Sequence, residues 1–241
     1  MTSDDLVVII PSRGRPESVE AMAAAFRETG AENVSAVWVI EDDDPAADDY
    51  ATAVAESWRP WTVQRGSYGS MAAAIQAASR ELVSGDLPPF ALAVLNDDHR
   101  PRSQEWHTWL VNSLRTFHPA VGMVYPNDGY QGKKLSTVWA VTSSWVRTIG
   151  RMIPARVSHL YADNAMLDLA TAVGCVTYLP GVDIIHEHPA AGLTEWTPLY
   201  RERNSRERYR EDRRIFRNWQ NSQKRRDQIG ALRLAVAEGP R

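Results

Sequence analysis

Phe90-Ala91-Leu92-Ala93-Val94-Leu95 runs directly into Asn96-Asp97-Asp98-His99, and the reading of this stretch decides the fold. Six uncharged apolar residues in a row read as a strand buried on both faces, which belongs in a parallel sheet covered by helices. The four residues that follow bring two carboxylates and an imidazole to the strand's carboxyl end. Hard divalent cations such as Mg2+ and Mn2+ prefer oxygen ligands and bridge protein carboxylates to diphosphate oxygens. If the turn is extended, Asp97 and His99 share one side and Asp98 the other, so two ligand sets are open.

Toward the N-terminus the same alternation recurs. Leu6 to Ile10 is a β-branched apolar run ended by the loop Pro11-Ser12-Arg13-Gly14-Arg15-Pro16; Val19, Met22, Ala23 and Phe26 then follow at helical spacing, with Gly30 as a stop. A second strand, 36–40, ends at Glu41-Asp42-Asp43-Asp44-Pro45, and a helix is expected over 47–58. A short strand over 61–64 leads through Arg65-Gly66-Ser67-Tyr68-Gly69 into an Ala-rich helix over 70–83. Toward the C-terminus the expectations are a helix over 106–117, strands over 121–125 and 136–141, and a helix over 164–173. Short strands follow over 176–179 and 182–185, the second entering His186-Glu187-His188-Pro189. The pattern predicts an α/β fold with a mainly parallel sheet and ligands at the carboxyl ends of its strands.

Composition sets the outer limits. A chain of 241 residues, 44% hydrophobic, suffices for one domain with an appendage, here read as a domain over 1–198 and a charged, mostly helical extension over 199–241. No apolar stretch approaches the roughly 18 to 20 residues of a membrane span, and the first residues lack the pattern of a signal peptide, so a cytoplasmic location is expected. Cys175 is the sole cysteine, which excludes an intrachain disulfide and a thiolate metal cluster. The net charge of -3 hides an uneven distribution: between Arg201 and Arg226 there are eleven basic side chains against four acidic ones.

Several polar clusters share the strand ends. One of the four acids Glu41, Asp42, Asp43 and Asp44 can accept hydrogen bonds from a ribose or a base N–H, while Pro11-Ser12-Arg13-Gly14-Arg15 and Arg65-Gly66-Ser67-Tyr68-Gly69-Ser70 suit diphosphate and base contacts. Asp163, at the start of a helix, can cap that helix or take the proton from an attacking hydroxyl, and the two roles are compatible. His186 and His188 lie on one face of an extended segment and can add an imidazole to the acidic turn.

Together these residues resemble the GT-A glycosyltransferases, especially the family-2-like branch. The match rests on Val7-Val8-Ile9-Ile10-Pro11-Ser12-Arg13, the strand-two acids, Tyr68-Gly69-Ser70 with its helix, Asn96-Asp97-Asp98-His99, Asp163-Asn164 and His186, and spans roughly residues 6–190. The resemblance implies a Rossmann-like nucleotide-diphospho-sugar transferase. Its donor site would use Pro11, Ser12, Arg13, Arg15, Asp42, Asp43, Tyr68, Gly69, Ser70, Asn96 and Asp97. Its Mn2+ or Mg2+ would lie among Asp98, His99, His186 and His188, in the manner of a DxD motif. Asp163 would be the base of an inverting transfer from a UDP- or GDP-sugar. Ala162-Asp163-Asn164 replaces the pair of acids usual before the base-bearing helix, and the Gln-x-x-Arg-Trp motif of processive members is absent.

The compact length, the acidic turn after strand two and His-Glu-His-Pro are also similar to small phage-encoded glycosyltransferases. That similarity implies modified DNA or a virion protein as acceptor, and the basic segment from Arg201 to Arg226 as a phosphate-binding strip; the same segment can instead be a solvated helix or an oligomer arm. Two other functions use the same features: a nucleotidyltransferase acting on sugar phosphates, and a noncatalytic nucleic-acid-binding module built on the basic tail.

Overall fold

The computed structural model describes residues 5–57, 59–117 and 121–238. In the first half, apolar runs and amphipathic segments alternate as β1 (Leu6–Ser12), α1 (Ser18–Glu28), β2 (Ser35–Glu41), α2 (Ala47–Glu56), β3 (Trp61–Gly66), α3 (Met71–Ser84) and β4 (Ala91–Val94). Ser70 caps α3, its hydroxyl accepting from Ala73 N–H at 3.2 Å, so the helix starts one residue later than its composition suggested. α1 is closed off by Gly30 at φ +72°, where an added Cβ would stand 2.5 Å from a Glu105 carboxylate oxygen. The expected end of the second helix at Trp58 lies outside the described residues.

The second half comprises β5 (His99–Pro101), α4 (Trp106–Arg115), β6 (Met123–Asn127), β7 (Trp139–Thr142), α5 (Ser143–Ile149), α6 (Ala162–Val173) and β8 (Val176–His186). Three helices end it: α7 (Pro198–Arg203), α8 (Arg206–Gln220) and α9 (Gln223–Glu238). The two short strands expected over 176–185 are one strand, β8. Pro180 and Gly181 interrupt its apolar pattern, and the pairing with β6 absorbs them as an irregularity after Pro126. β5 is only three residues long and α5 only seven, too short for periodicity to reveal.

The eight strands stand in the order β3-β2-β1-β4-β7-β6-β8-β5. β3, β2, β1 and β4 are parallel; β7 runs antiparallel to both β4 and β6; β8 is parallel to β6, and β5 antiparallel to β8. Side chains of the central strands alternate between two cores. Val8 and Ile10 of β1 pack with Phe26 of α1, Tyr50 of α2 and Trp106 of α4, whereas Ile9 packs with Ile75 of α3, Trp145 of α5 and Met166 of α6.

The C-terminal helices join that second core. Phe216, Trp219 and Leu232 are buried in it, and Trp219 Nε1 donates to Gln228 Oε1 at 2.8 Å. Arg225 pairs with Asp168 of α6 at 2.7 Å. Among the described residues no helix is long and apolar enough to cross a membrane.

Candidate functional site

The carboxyl ends of β1, β2 and β4 open on a cavity of about 860 Å3. It is lined by Pro11, Ser12, Arg13, Arg15, Asp43, Gly69, Ser70, Asn96, Asp97, Asp98, Asp163, His186 and His188 from the sequence-derived set. The remaining three, Asp42, Tyr68 and His99, are not on its wall. Asp42 is exposed and accepts from Ser67 Oγ at 2.9 Å. The ring of Tyr68 lies over Gly66, and His99 is buried behind Asp98.

The loop after β1 is fixed from beneath. Tyr50, buried on α2, places its hydroxyl 2.6 Å from Ser12 Oγ and 2.8 Å from the N–H of Arg15, and Asp44 accepts from Gly14 N–H at 2.8 Å. Gly14 is at φ +65°, the left-handed region that the turn requires. Arg13 and Arg15 therefore project from a braced loop, Arg13 paired with Asp43 at 2.5 Å and Arg15 with Asp97. Glu41 clamps the opposite loop by accepting from Tyr68 N–H at 2.9 Å and Gly69 N–H at 3.3 Å, a role that its position among four consecutive acids does not reveal.

Residues 96–99 form a closed turn rather than an extended one, with His99 N–H bonded to Asn96 C=O at 3.0 Å. The two carboxylates consequently separate. Asp97 turns to Ser12 Oγ and Arg15, while Asp98 turns to His186, whose Nε2 stands 3.4 Å from its Oδ1. The β5–β8 register sets His99 opposite His186, with ring centroids 4.3 Å apart. Asp98, His99 and His186 thus offer ligand atoms within 4.8 Å of one another. Among the described residues His99 Nε2 and His186 Nδ1 are buried without a hydrogen-bond partner, and Asp98 Oδ1 has only its ion pair with His186.

Tautomers divide the triad. His99 Nδ1 accepts the Asn96 N–H at 2.7 Å, so in the neutral ring the proton sits on Nε2, which then has no lone pair for a cation. His188 is similarly engaged, Nδ1 accepting from Ala190 N–H at 3.1 Å, and lies outside the triad. Asp98 Oδ2 accepts from the Tyr200 hydroxyl at 2.8 Å, leaving Oδ1 for a cation. Tyr200 also accepts from Arg15 Nη1 at 2.6 Å, with the Arg15 guanidinium 4.9 Å from its ring. Nothing in the charged tail's composition marks Tyr200 as part of this site.

Electrostatics separates the acids further. Burial disfavours ionisation of Asp98, but the hydrogen bond and charge of His186, backed by His99 and Arg15, hold its carboxyl well below the usual range. Burial likewise disfavours the charged His186 and so lowers it, but Asp98 outweighs that to raise the imidazole. Burial, aided by Asp98, raises Asp97 against the pull of Arg15. Asp163, in the first turn of α6 and on the cavity wall, is pushed up to about 6 by burial, although its own Oδ1 accepts from Asn164 N–H at 2.8 Å.

No protein-family model matches this chain, and no curated protein matches its sequence. Solved structures do. A mannosyltransferase, PcManGT of Pyrobaculum calidifontis, in complex with GDP-Man and Mn2+, superposes with a TM-score of 0.53 at 12% identity over 98% of this chain and 76% of its own. TarS of S. aureus gives 0.55 at 11% identity over 98% and 71%. The chain has the fold of the nucleotide-diphospho-sugar transferases. A putative glucose-1-phosphate thymidylyltransferase of Bacillus anthracis matches as well, with a TM-score of 0.50 at 11% identity over 85% and 99%. At such identities the fold is shared and the reaction must be argued from the site.

Proposed function

We propose that this protein is a metal-dependent glycosyltransferase moving a sugar from a UDP- or GDP-sugar to an acceptor hydroxyl with inversion. The observation that carries the reading is Asp163, a carboxyl pushed to about 6 on the wall of the cavity that holds the Asp98–His186 pair. An acceptor hydroxyl needs a base to take its proton during attack, whereas the phosphate nucleophile of nucleotidyl transfer is already ionised at neutral pH. Asp98 and His186 would hold the cation, Mn2+ or Mg2+, with the imidazole favouring Mn2+. When bound, that cation neutralises charge on the departing diphosphate. Arg13 and Arg15 face the same diphosphate, Asp43 the nucleoside, and Asp163 receives the acceptor proton.

Thermal unfolding with UDP-, GDP-, dTDP- and CDP-sugars, each with and without Mn2+, tests the reading. One pair should stabilise by about 2.7 kcal/mol at a hundredfold excess over its dissociation constant, and only with metal. Release of pyrophosphate from a nucleoside triphosphate and a sugar phosphate would replace this reading with nucleotidyl transfer.

One observation favours a nucleic-acid contact besides catalysis. Arg206, Arg210, Arg213 and Arg217 fall on one exposed face of α8, and among the described residues the only ion pair of the three terminal helices is Arg225–Asp168. If the acceptor hydroxyl is carried on DNA, binding of a single strand should weaken with salt at a slope of about -3 for four engaged arginines. A flat salt dependence removes nucleic acid from the list of acceptors.

A further inference from the structure

α8 carries one acid on its core-facing side, and the whole of it is spent on a single loop. Asp212 is fully buried, accepting from the N–H groups of Ser158 at 2.8 Å, His159 at 3.0 Å and Leu160 at 2.9 Å. Ser158 Oγ lies 3.1 Å from each carboxylate oxygen. Three successive N–H groups converging on one anion form a nest, and here a side chain from the C-terminal helices occupies it. The loop so held leads into α6. His159, Leu160 and Tyr161 line the cavity, and Asp163 follows two residues after Tyr161.

Tyr161 stands at φ +64°, a conformation that a non-glycine residue keeps only where its surroundings impose it. Those surroundings are α8: the Tyr161 ring lies 5.3 Å from both Phe216 and Tyr209, stacked on the former. The other side of the loop reaches the donor end of the cavity, where Ala72 N–H donates to Ser158 C=O at 3.0 Å.

We propose that Asp212 is a positioning residue for the transfer step, fixing residues 158–161 and through them the aim of the Asp163 carboxylate. The proposal rests on Asp163 being the base, and Asp212 touches neither donor nor acceptor. Asn at 212 would keep one acceptor oxygen but turn an NH2 toward N–H groups, so the loop loses its anchor while the apolar packing of α8 stays.

The test compares the full chain with D212N and with Phe216→Leu, which keeps an apolar side chain but removes the stack on Tyr161. In D212N the amides of 158–160 should exchange with solvent at least tenfold faster, with those of β1 and β4 unchanged. The turnover number should fall at least tenfold while KM for the donor stays within twofold, and Phe216→Leu should show the same split more weakly. Wild-type protection of 158–160 in D212N overturns the proposal whether or not any activity is seen. So does an unchanged turnover number with the loop loosened, or a parallel loss of turnover and donor affinity that tracks the unfolded fraction. Absence of transfer by the unsubstituted chain, with protection lost in D212N, counts against the glycosyltransferase reading and leaves the loop contact standing.

Discussion

At the scale of single residues, the site divides labour among groups that the sequence presents as equivalent. Asp97 and Asp98 are adjacent, yet one is tied to Arg15 and the other faces His186. His99 and His186 are ring neighbours, yet the Asn96 N–H already uses the lone pair on His99 Nδ1. His186→Ala should therefore abolish stabilisation by Mn2+, whereas His99→Ala should weaken it roughly tenfold, as for a residue that orients a ligand. Titration calorimetry with Mn2+ decides, and the reverse order would make His99 the ligand. For Asp163 the sign is fixed by its role: the base works ionised, and burial has raised it to about 6. The transfer rate should thus fall about tenfold per pH unit below 6 and level off above about 7. Asp163→Asn should remove most of the rate together with that acid limb, and a limb that persists in the variant would assign it to another group.

At the scale of elements, legibility follows length and pattern. β1 and β4 could be read because five and six apolar residues in succession have few other solutions, and α3 because Ser70 precedes a long run of helix formers. β5 could not, since His99–Pro101 owes its strand geometry to β8, more than eighty residues away. Asp98, His99 and His186 were named from the sequence as cation candidates, but their grouping without His188 was not, since the His99–His186 contact is a product of register. The acidic turn and the distant histidine were legible as residue types; the tilt of each carboxylate was not, because it depends on Tyr200 and Arg15 arriving from opposite ends of the chain. α8 was legible as part of a charged, mostly helical segment with a few apolar anchors, and among these Phe216 and Trp219 form a buried face with an energetic role. Trp219→Ala removes a core aromatic and the partner of Gln228, and should cost about 3 to 5 kcal/mol in denaturant unfolding. A loss below about 1 kcal/mol would mean that α8 merely rests on the surface.

At the scale of the molecule, the question is whether residues 199–241 append to a finished domain or complete it. The sequence alone favours a break, because composition changes abruptly after Pro198 from apolar and mixed to strongly basic. The packing argues for completion: Phe216, Trp219 and Leu232 belong to the second core, Asp212 fills the nest at 158–160, and Tyr200 holds Asp98. Removing them would open that core over α3, α5 and α6, and the individual costs of such losses, about 2 to 5 kcal/mol each, together reach the whole stability of an ordinary domain. A chain ending at Pro198 should therefore lose its cooperative thermal transition and its near-ultraviolet circular dichroism while retaining helical signal in the far ultraviolet, the behaviour of a collapsed but unpacked state. It should also bind no nucleotide sugar with metal. A truncated chain that melts cooperatively within a few degrees of the full protein would show instead that the sheet and its first six helices are self-sufficient, and would return the charged helices to the status of an accessory.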